Sequence, residues 1–403
     1  MKILRVSQEF APIYTGPIKQ ALNIMSGLAK RGHQNVVLAS TEGVSDNSYK
    51  VEAYPHNTTL YRYPILFKVM RYFFVRGLTR DLPLFDADLV HVHSWRSHLA
   101  DSTVRFAKAH GIPSVLHAHA SAYAEQLVTN PLLRFPYKVY DFLFKKSVVQ
   151  SADAVVVSTA QERLDCIRYG VDDKRIHIIP SGVSVNDFTA VERSAPAEPD
   201  VPTVLLVGRL ARGRNVELLL RALATLKARE IPFRARIVGP EAKSTKTSCD
   251  GYLDELKSLT QRLELTEDVS FVGPLQGESL LQAYIDADIF VYTSVYENFG
   301  NTVLEAAAAG LPIVATPTGV ATDLVKSGVT GYLVSMSDPA DLSQRLADLL
   351  RDPSKRQRLG QEARRLALRD YDWDTIVEKY LRLYSLLLEH SPLETPNVAL
   401  KSR

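Results

Sequence analysis

The chain has 403 residues, of which 46% are hydrophobic and 23% charged, a composition that excludes a disordered or collagen-like protein and corresponds to two or three globular domains. A formal net charge of +3 lacks the basic excess of nucleic-acid-binding proteins, so no nucleic-acid partner is expected. No run reaches the roughly 18 apolar residues of a membrane span and no signal-peptide pattern is present, which predicts a cytoplasmic protein.

Short apolar runs alternate with longer amphipathic stretches, the pattern of strands and helices in a parallel, doubly wound α/β sheet. In the first half, the predicted strands cover residues 2–7, 35–40, 89–93, 114–119, 154–158 and 176–180. In the second half, they cover residues 203–208, 234–239, 269–272, 289–293, 312–315 and 331–334.

A polar, proline-bearing stretch at residues 186–202 separates the two sets of strands and predicts a linker. We therefore expect one Rossmann-like domain at residues 1–185 and another at 203–372, facing each other across a cleft lined by the carboxyl ends of their strands. Apolar residues at helical spacing predict a helix at 373–390 that crosses back toward the first domain, and a flexible tail follows at 391–403.

Glu297 and Glu305 stand on either side of a predicted helix start. A buried strand ends near residue 293, a loop carries Glu297, and a helix opens at Asn301 or Thr302. Amide groups and the helix dipole at such a start suit an anionic diphosphate, while the carboxylates suit neutral hydroxyls. Residue types alone leave two alternatives open: Glu305 closes a capping box that begins at Thr302, and Glu297 is an exposed loop carboxylate.

The stretch 293–310 resembles the signature of the retaining glycosyltransferases of family 4, which have the GT-B fold of two Rossmann-like domains. Other segments that resemble the family are GRL at 208–210 followed by Arg214, LAKRGH at 28–33, IIPSGV at 178–183, ADIFV at 287–291 and TGYLV at 330–334. One glycine, Gly319, stands where the family commonly has two. The resemblance covers nearly the whole chain and is densest from residue 203 to 334.

This resemblance implies a binding site for a nucleotide-sugar donor in the second domain. Its members are Arg209 and Arg214 for the diphosphate, Glu305 for the ribose, Glu297 for hydroxyls of the donor sugar, and the backbone of Phe299, Gly300 and Asn301 for the sugar and diphosphate. Spacing alone favours solvated surface charge for the two arginines, and it is the resemblance that favours the diphosphate role. The family usually works without a bound metal, so no metal and no cofactor besides the donor is expected.

In the first domain, Gly16 follows the first strand, where the family has a glycine turn that approaches a phosphate. His119 ends a predicted strand, and the family has a histidine there beside the donor sugar. Without the resemblance, an isolated histidine at a strand end more often has a structural role.

Two other sequence patterns are compatible with a metal-binding site. His91, His93, His117 and His119 form two His-x-His pairs that could ligate an ion on neighbouring strands, although no carboxylate or Cys cluster supports such a site. Asp88 and Asp288 each end an Asp-Ala-Asp segment similar to that of metal-dependent transferases, but both are interpreted as residues that lead into buried strands.

Residues 65–80 and 134–146 mix aromatic with basic side chains. Such segments can lie on an anionic membrane, which predicts peripheral membrane contact, at the cytoplasmic face, and a glycan or lipid-linked acceptor. Residue types alone slightly favour the alternative, in which the aromatic residues are core and the cations a solvated face.

The resemblance implies a retaining glycosyltransferase that moves a sugar from a nucleotide-diphosphate donor to an acceptor hydroxyl with α configuration, with Glu297 and His119 as its catalytic residues. Two alternatives are a nucleotide-sugar 2-epimerase of the same architecture and a non-catalytic nucleotide-sugar-binding protein. A nicotinamide dehydrogenase is disfavoured because no Gly-x-Gly-x-x-Gly follows a predicted strand.

Overall fold

The computed structural model describes residues 1–70, 72–119, 122, 131–189, 191–194, 201–241 and 251–389. The predicted tail at 391–403 and part of the predicted linker lie outside the described residues. The chain divides into two compact units. The first unit comprises residues 1–157, 162–179 and those from 377 onward, and the second comprises residues 158–161 and 180–376.

Parallel strands form the centre of the first half of the chain. Its elements are β1 (Lys2–Ser7), α1 (Gly16–Lys30), β2 (Gln34–Ser40), β3 (Lys50–Tyr54), β4 (Thr58–Tyr63), β5 (Ile65–Val69), β6 (Tyr72–Val75), α2 (Leu78–Asp81), β7 (Leu89–His93), α3 (His98–Ala109), β8 (Ser114–His117), α4 (Pro131–Phe144), β9 (Ala154–Val157), α5 (Ala160–Tyr169) and β10 (Ile176–Ile178). Among the described residues, one sheet has the order β10-β9-β8-β7-β1-β2-β4-β3, and only the β3–β4 pair in it is antiparallel.

The second half has the same construction. Its elements are β11 (Thr203–Val207), α6 (Val216–Ala228), β12 (Arg234–Val238), α7 (Tyr252–Arg262), β13 (Val269–Gly273), α8 (Glu278–Ile285), β14 (Ile289–Tyr292), α9 (Asn301–Ala308), β15 (Ile313–Ala315), α10 (Ala321–Leu324), β16 (Gly331–Leu333), α11 (Pro339–Leu350), α12 (Pro353–Tyr371) and α13 (Trp373–Glu389). Its sheet is parallel throughout, in the order β13-β12-β11-β14-β15-β16. The predicted fold class, with two Rossmann-like α/β sheets, is therefore confirmed.

An aspartate aligns the central strands of each sheet in the same way. Asp88, just before β7, accepts a hydrogen bond from the backbone amide of Lys2 at 2.7 Å, and Asp288, just before β14, accepts one from Thr203 at 2.8 Å. In each unit the carboxylate joins the starts of two neighbouring parallel strands. Both residues thus lead into buried strands, as predicted.

The structure corrects two parts of the predicted strand pattern. Strands β3 and β4 and the β5–β6 hairpin were not predicted. Strands β3 and β5 are partly exposed, and β4 is mostly buried but mixes polar with apolar residues, so none of them forms the continuous apolar run of a central strand. The strand predicted at 114–119 ends at His117, and His119 lies beyond it with a left-handed backbone φ of 45°. Within the described residues, no helix is both long and apolar enough to cross a membrane.

Helices α9 and α12 approach each other closely at a glycine in the second unit. A Cβ atom on Gly360, in α12, would collide with the backbone carbonyl of Gly310, at the end of α9. The contact fixes how α12 covers α9, whose opposite end belongs to the candidate site below.

We expect Gly360→Ala to destabilise the second unit by about 1–3 kcal/mol, although alanine is the better helix former, because the backbone cannot yield without separating the helices. Urea unfolding measures the change. The neighbouring Gln361→Ala is the control, since Gln361 is exposed and its loss should change the free energy of unfolding by less than about 0.5 kcal/mol. Equal or greater stability of Gly360→Ala would contradict the packing.

Candidate active site

The amino end of α9 has no side-chain cap among the described residues. The chain leaves β14 at Tyr292 and enters α9 through Gly300, whose left-handed φ of 88° favours glycine. A Cβ at this position would also lie 3.0 Å from the Tyr292 hydroxyl oxygen. The first-turn amides, together with the positive end of the helix dipole, form an anion-binding geometry.

Glu305 does not close a capping box. The N-cap residue is Gly300, and Thr302 lies within the helix, so the capping-box alternative is wrong. The Glu305 carboxylate instead accepts a hydrogen bond of 2.7 Å from the hydroxyl of Tyr284, in α8. Burial and the nearby carboxylate raise the pKa of Tyr284 well above its usual value, which keeps this hydroxyl a donor. Glu305 is only partly exposed and is held one turn into the helix.

The loop between β14 and α9 is supported from the β15–α10 connection. The amide of Val320 donates to the carbonyl of Phe299 at 2.5 Å, and the Phe299 side chain packs into the core of the second unit. At this position, therefore, the backbone rather than the aromatic ring is placed to contact a ligand. Gly319 has a φ of 55°, and a Cβ on it would collide with the Phe299 carbonyl.

Arg214 and Glu297 form an ion pair beside this loop. Arg214 also donates to the hydroxyl of Ser294 at 3.0 Å, and the two paired side chains are 20% and 22% exposed. Burial acts to lower the pKa of Arg214, but the Glu297 carboxylate and the Tyr292 hydroxyl together outweigh burial, and the net shift is upward. Glu297 is thus a paired and oriented carboxylate, unlike the exposed loop carboxylate of the alternative interpretation.

Strand order explains why these groups meet. Arg214 follows β11 and Glu297 follows β14, and the two strands are parallel neighbours whose carboxyl ends share one edge of the sheet. The carbonyl of Arg214 accepts a bond of 2.7 Å from the hydroxyl of Thr293. Arg209, also after β11, is exposed, and its side chain forms no hydrogen bond or ion pair with the described residues.

Gly16 and His119 lie in the first unit. Gly16 is the exposed first residue of α1 and follows β1, whereas His119 follows β8, and β7 lies between these strands. His119 Nε2 lies 3.1 Å from Nδ1 of His93, and its ring stacks on that of His117 with centroids 3.7 Å apart. Burial lowers the pKa of His119 to about 3, which keeps the imidazole neutral at pH 7.

The predicted histidine cluster forms, but a guanidinium lies among its nitrogens. His91, His93 and His117 place ring nitrogens within 4.8 Å of one another, and Arg5 Nη1 lies 3.1 Å from His91 Nδ1 and 3.5 Å from His93 Nε2. Burial first, and the Arg5 charge as a further cause, hold the pKa values of the three histidines well below the usual value. A second cation here would be repelled, so the residues do not fit a metal ion.

Arg5 is the part of this cluster that the sequence analysis missed. A charged residue within the buried strand β1 was the available signal, but its contacts come from β7 and from Tyr384, which no local pattern connects to it.

Comparisons with known proteins match this chain to glycosyltransferases. The model of the family described as glycosyl transferases group 1 matches residues 187–366, and that of a glycosyl transferase 4-like domain matches residues 15–182. The chain is 31% identical over 312 residues to D-inositol 3-phosphate glycosyltransferase 2 of Catenulispora acidiphila, a match that spans 75% of this chain and 71% of that protein.

Two solved structures share the fold. A sucrose-phosphate synthase of Thermosynechococcus elongatus has a TM-score of 0.74 at 21% identity, with 96% of this chain and 99% of that chain covered. The Anabaena protein HepE in complex with UDP-glucose has a TM-score of 0.68 at 20% identity, with 96% of this chain and all of that chain covered.

We expect Gly319→Ala to displace the Phe299 loop and to lower the free energy of unfolding by about 2–4 kcal/mol, through backbone strain plus the collision. Gly328→Ala is the matched control: its φ of 76° is also left-handed, but its Cβ would enter open space, so it should cost only about 1 kcal/mol. Hydrogen exchange at residues 297–301 should rise in Gly319→Ala alone. Equal effects of both substitutions would show that the contact does not support the loop.

Proposed function

This chain belongs to the group 1, family 4 glycosyltransferases, which transfer a sugar from a nucleotide sugar, and we propose that it forms an α linkage to a hydroxyl of a glycan, glycolipid or lipid-linked precursor. The observation that carries the proposal is the amino end of α9, uncapped by any described side chain, with the Arg214–Glu297 pair beside it. Backbone amides and a cation there suit a diphosphate, and a fixed carboxylate suits sugar hydroxyls.

In the proposed donor complex, the diphosphate lies against the backbone of Phe299, Gly300 and Asn301 and contacts Arg209 and Arg214. Arg214 then shares its guanidinium between the diphosphate and Glu297, which its planar, multi-donor fork permits. Glu305, already held by Tyr284, accepts hydrogen bonds from the ribose hydroxyls. The 2.7 Å bond from Tyr284 orients the carboxylate before the nucleotide binds, so less side-chain entropy is lost on binding.

Transfer with retention needs no protein nucleophile in this scheme. As the bond from the anomeric carbon to the diphosphate oxygen breaks, negative charge develops on the diphosphate, and the α9 amides and the arginines stabilise that charge. The departing diphosphate takes the proton of the acceptor hydroxyl, which attacks the same face of the sugar. These groups supply the positive charge that a divalent cation supplies elsewhere, so we propose that no metal is required.

Glu297 and His119 are the proposed catalytic residues. Glu297 holds donor-sugar hydroxyls through carboxylate hydrogen bonds, and its pairing with Arg214 keeps it oriented. His119 stays neutral at pH 7, so it serves as a hydrogen-bonding group toward the donor sugar rather than as a cation. Gly16 is proposed to offer its own backbone amide at the start of α1, where the next residue, Pro17, has none.

We also propose a membrane surface as a partner of the first unit. The β5–β6 hairpin and α4 border an apolar groove of about 400 Å³, lined by Val69, Met70, Phe74, Phe135, Val139 and Leu143 among others. Phe135 is 67% exposed and Leu143 57% exposed, an unusual position for large apolar side chains.

The charge of the surrounding segments favours an anionic lipid as the occupant of this groove. Residues 65–80 and 134–146 contain eight lysines or arginines and a single acidic residue, Asp141. Basic side chains around an apolar surface attract anionic headgroups, while one acyl chain of the lipid fills the groove. The enzyme would then work at the cytoplasmic face of the membrane.

Calorimetry with UDP-, GDP- and ADP-sugars tests the donor site, with UDP-glucose first because HepE was solved with it. We expect one donor to bind, Glu305→Gln to weaken its affinity about 10- to 100-fold, and Glu278→Gln, on the exposed start of α8, to leave the affinity unchanged.

Glu297→Gln should lower turnover at least about 100-fold while donor binding persists, and EDTA should not affect turnover. Binding of no donor, or normal turnover of Glu297→Gln, would contradict the assignment.

Vesicle sedimentation tests the membrane proposal. The chain should bind phosphatidylglycerol vesicles at low salt and not phosphatidylcholine vesicles, and Phe135→Ser combined with Leu143→Ser should lower binding at least about tenfold. Leu84→Ser is the control, since Leu84 is a 77% exposed apolar residue of the first unit that does not line the groove. No binding to anionic vesicles, or equal loss in both variants, would overturn the proposal.

A further inference from the structure

Arg5 is a buried arginine whose hydrogen-bond partners, among the described residues, are neutral groups. Its side chain lies in β1 with 1% of the residue exposed. Its guanidinium donates to Asn35 Oδ1 at 3.0 Å, to His91 Nδ1 at 3.1 Å, to His93 Nε2 at 3.5 Å and to the Tyr384 hydroxyl at 3.3 Å. Burying a cation costs free energy unless its donors are hydrogen-bonded. The Arg5 donors therefore hold their acceptors in a definite arrangement.

The guanidinium decides which nitrogen of His93 carries the proton. Arginine has only N–H donors and no acceptor, so a ring nitrogen that faces it must be an unprotonated acceptor. His93 Nε2 is that nitrogen. Burial holds the pKa of His93 well below its usual value, so the ring is neutral and its single proton lies on Nδ1.

The same reasoning continues to His119. His93 Nδ1 lies 3.1 Å from His119 Nε2, so the proton on His93 is donated to His119. His119 Nε2 is therefore an acceptor, and because this ring is neutral as well, its own proton lies on Nδ1. The free imidazole in water prefers a proton on Nε2, so the network selects the less common tautomer.

The surrounding contacts hold this arrangement in place. His117 stacks on His119 with an interplanar angle of 15°, and the Tyr380 hydroxyl lies 3.2 Å from His117 Nδ1. The Tyr384 hydroxyl accepts from Arg5 and lies 2.6 Å from His91 Nδ1, to which it donates. His119 keeps a left-handed φ of 45°, an uncommon conformation for a residue with a side chain, which the stacked rings stabilise.

We propose that Arg5 is a positioning residue that acts through His93 to fix the tautomer of His119, so that His119 offers an Nδ1–H donor to an oxygen of its ligand. That the ligand is the donor sugar rests on the proposed function. The tautomer itself does not, because it follows from contacts within the first unit.

The imidazole ¹⁵N and ¹³C resonances of the full-length, histidine-labelled protein at pH 7 test this directly. The spectrum of His119→Gln assigns the His119 signals by their loss. We expect wild-type His119 to show the neutral Nδ1–H tautomer. A neutral Nε2–H form, a mixture of both, or a doubly protonated ring would overturn the proposal, whatever the activity of the protein.

Two variants separate the hydrogen bond from packing. His93→Phe keeps a ring but removes the donor, so the Nε2–H form of His119 should appear and kcat should fall with little change in donor KM. His117→Phe keeps the stacked ring on His119 without supplying or removing its hydrogen bond from His93, so the Nδ1–H form should persist. An unchanged His119 spectrum in a folded His93→Phe protein would contradict the relay, and so would the same tautomer change in both variants. If the protein shows the Nδ1–H tautomer but transfers no sugar, the proposed function is contradicted, and the inference about Arg5 is not.

Discussion

The left-handed turn at Gly300 is the constraint on which the proposed donor site depends. It lets the chain pass from β14 into α9 without a side-chain cap among the described residues, so the first-turn amides are directed toward a ligand. The turn is stabilised by the bond from Val320 to the Phe299 carbonyl and by the packing of the Phe299 ring. Once the turn is in place, Glu297 lies before the helix and Glu305 one turn inside it.

The two units stabilise the charge of a candidate-site arginine differently. In the second unit, Arg214 is partly exposed and paired with a carboxylate, an arrangement that can open toward a phosphate. In the first unit, Arg5 is fully buried and bonded to neutral acceptors, an arrangement that cannot exchange partners without exposing a cation. The partly exposed Arg214 pair suits ligand binding, whereas the buried Arg5 suits the fixing of the neighbouring histidine rings.

The sequence predicted the central strands of both sheets to within two residues, because continuous apolar runs between helical stretches are distinctive. The strands from Lys50 to Val75 were missed since their residues alternate in exposure or mix aromatic and basic types. The capping box at Thr302 was a reasonable local interpretation. It failed because Gly300 and Tyr284, the latter 21 residues from Glu305 along the chain, determine the local geometry. The Arg5 network joins residues up to 379 positions apart, which no spacing within a single sequence reveals.

The central claim is that the donor diphosphate lies on the amino end of α9. A crystal structure of the full chain with bound UDP tests it most directly. The account predicts phosphate oxygens within about 3 Å of backbone amides at Gly300 to Thr302 and in contact with the Arg214 guanidinium. A diphosphate bound elsewhere, with these amides and Arg214 not in contact with it, would contradict the account.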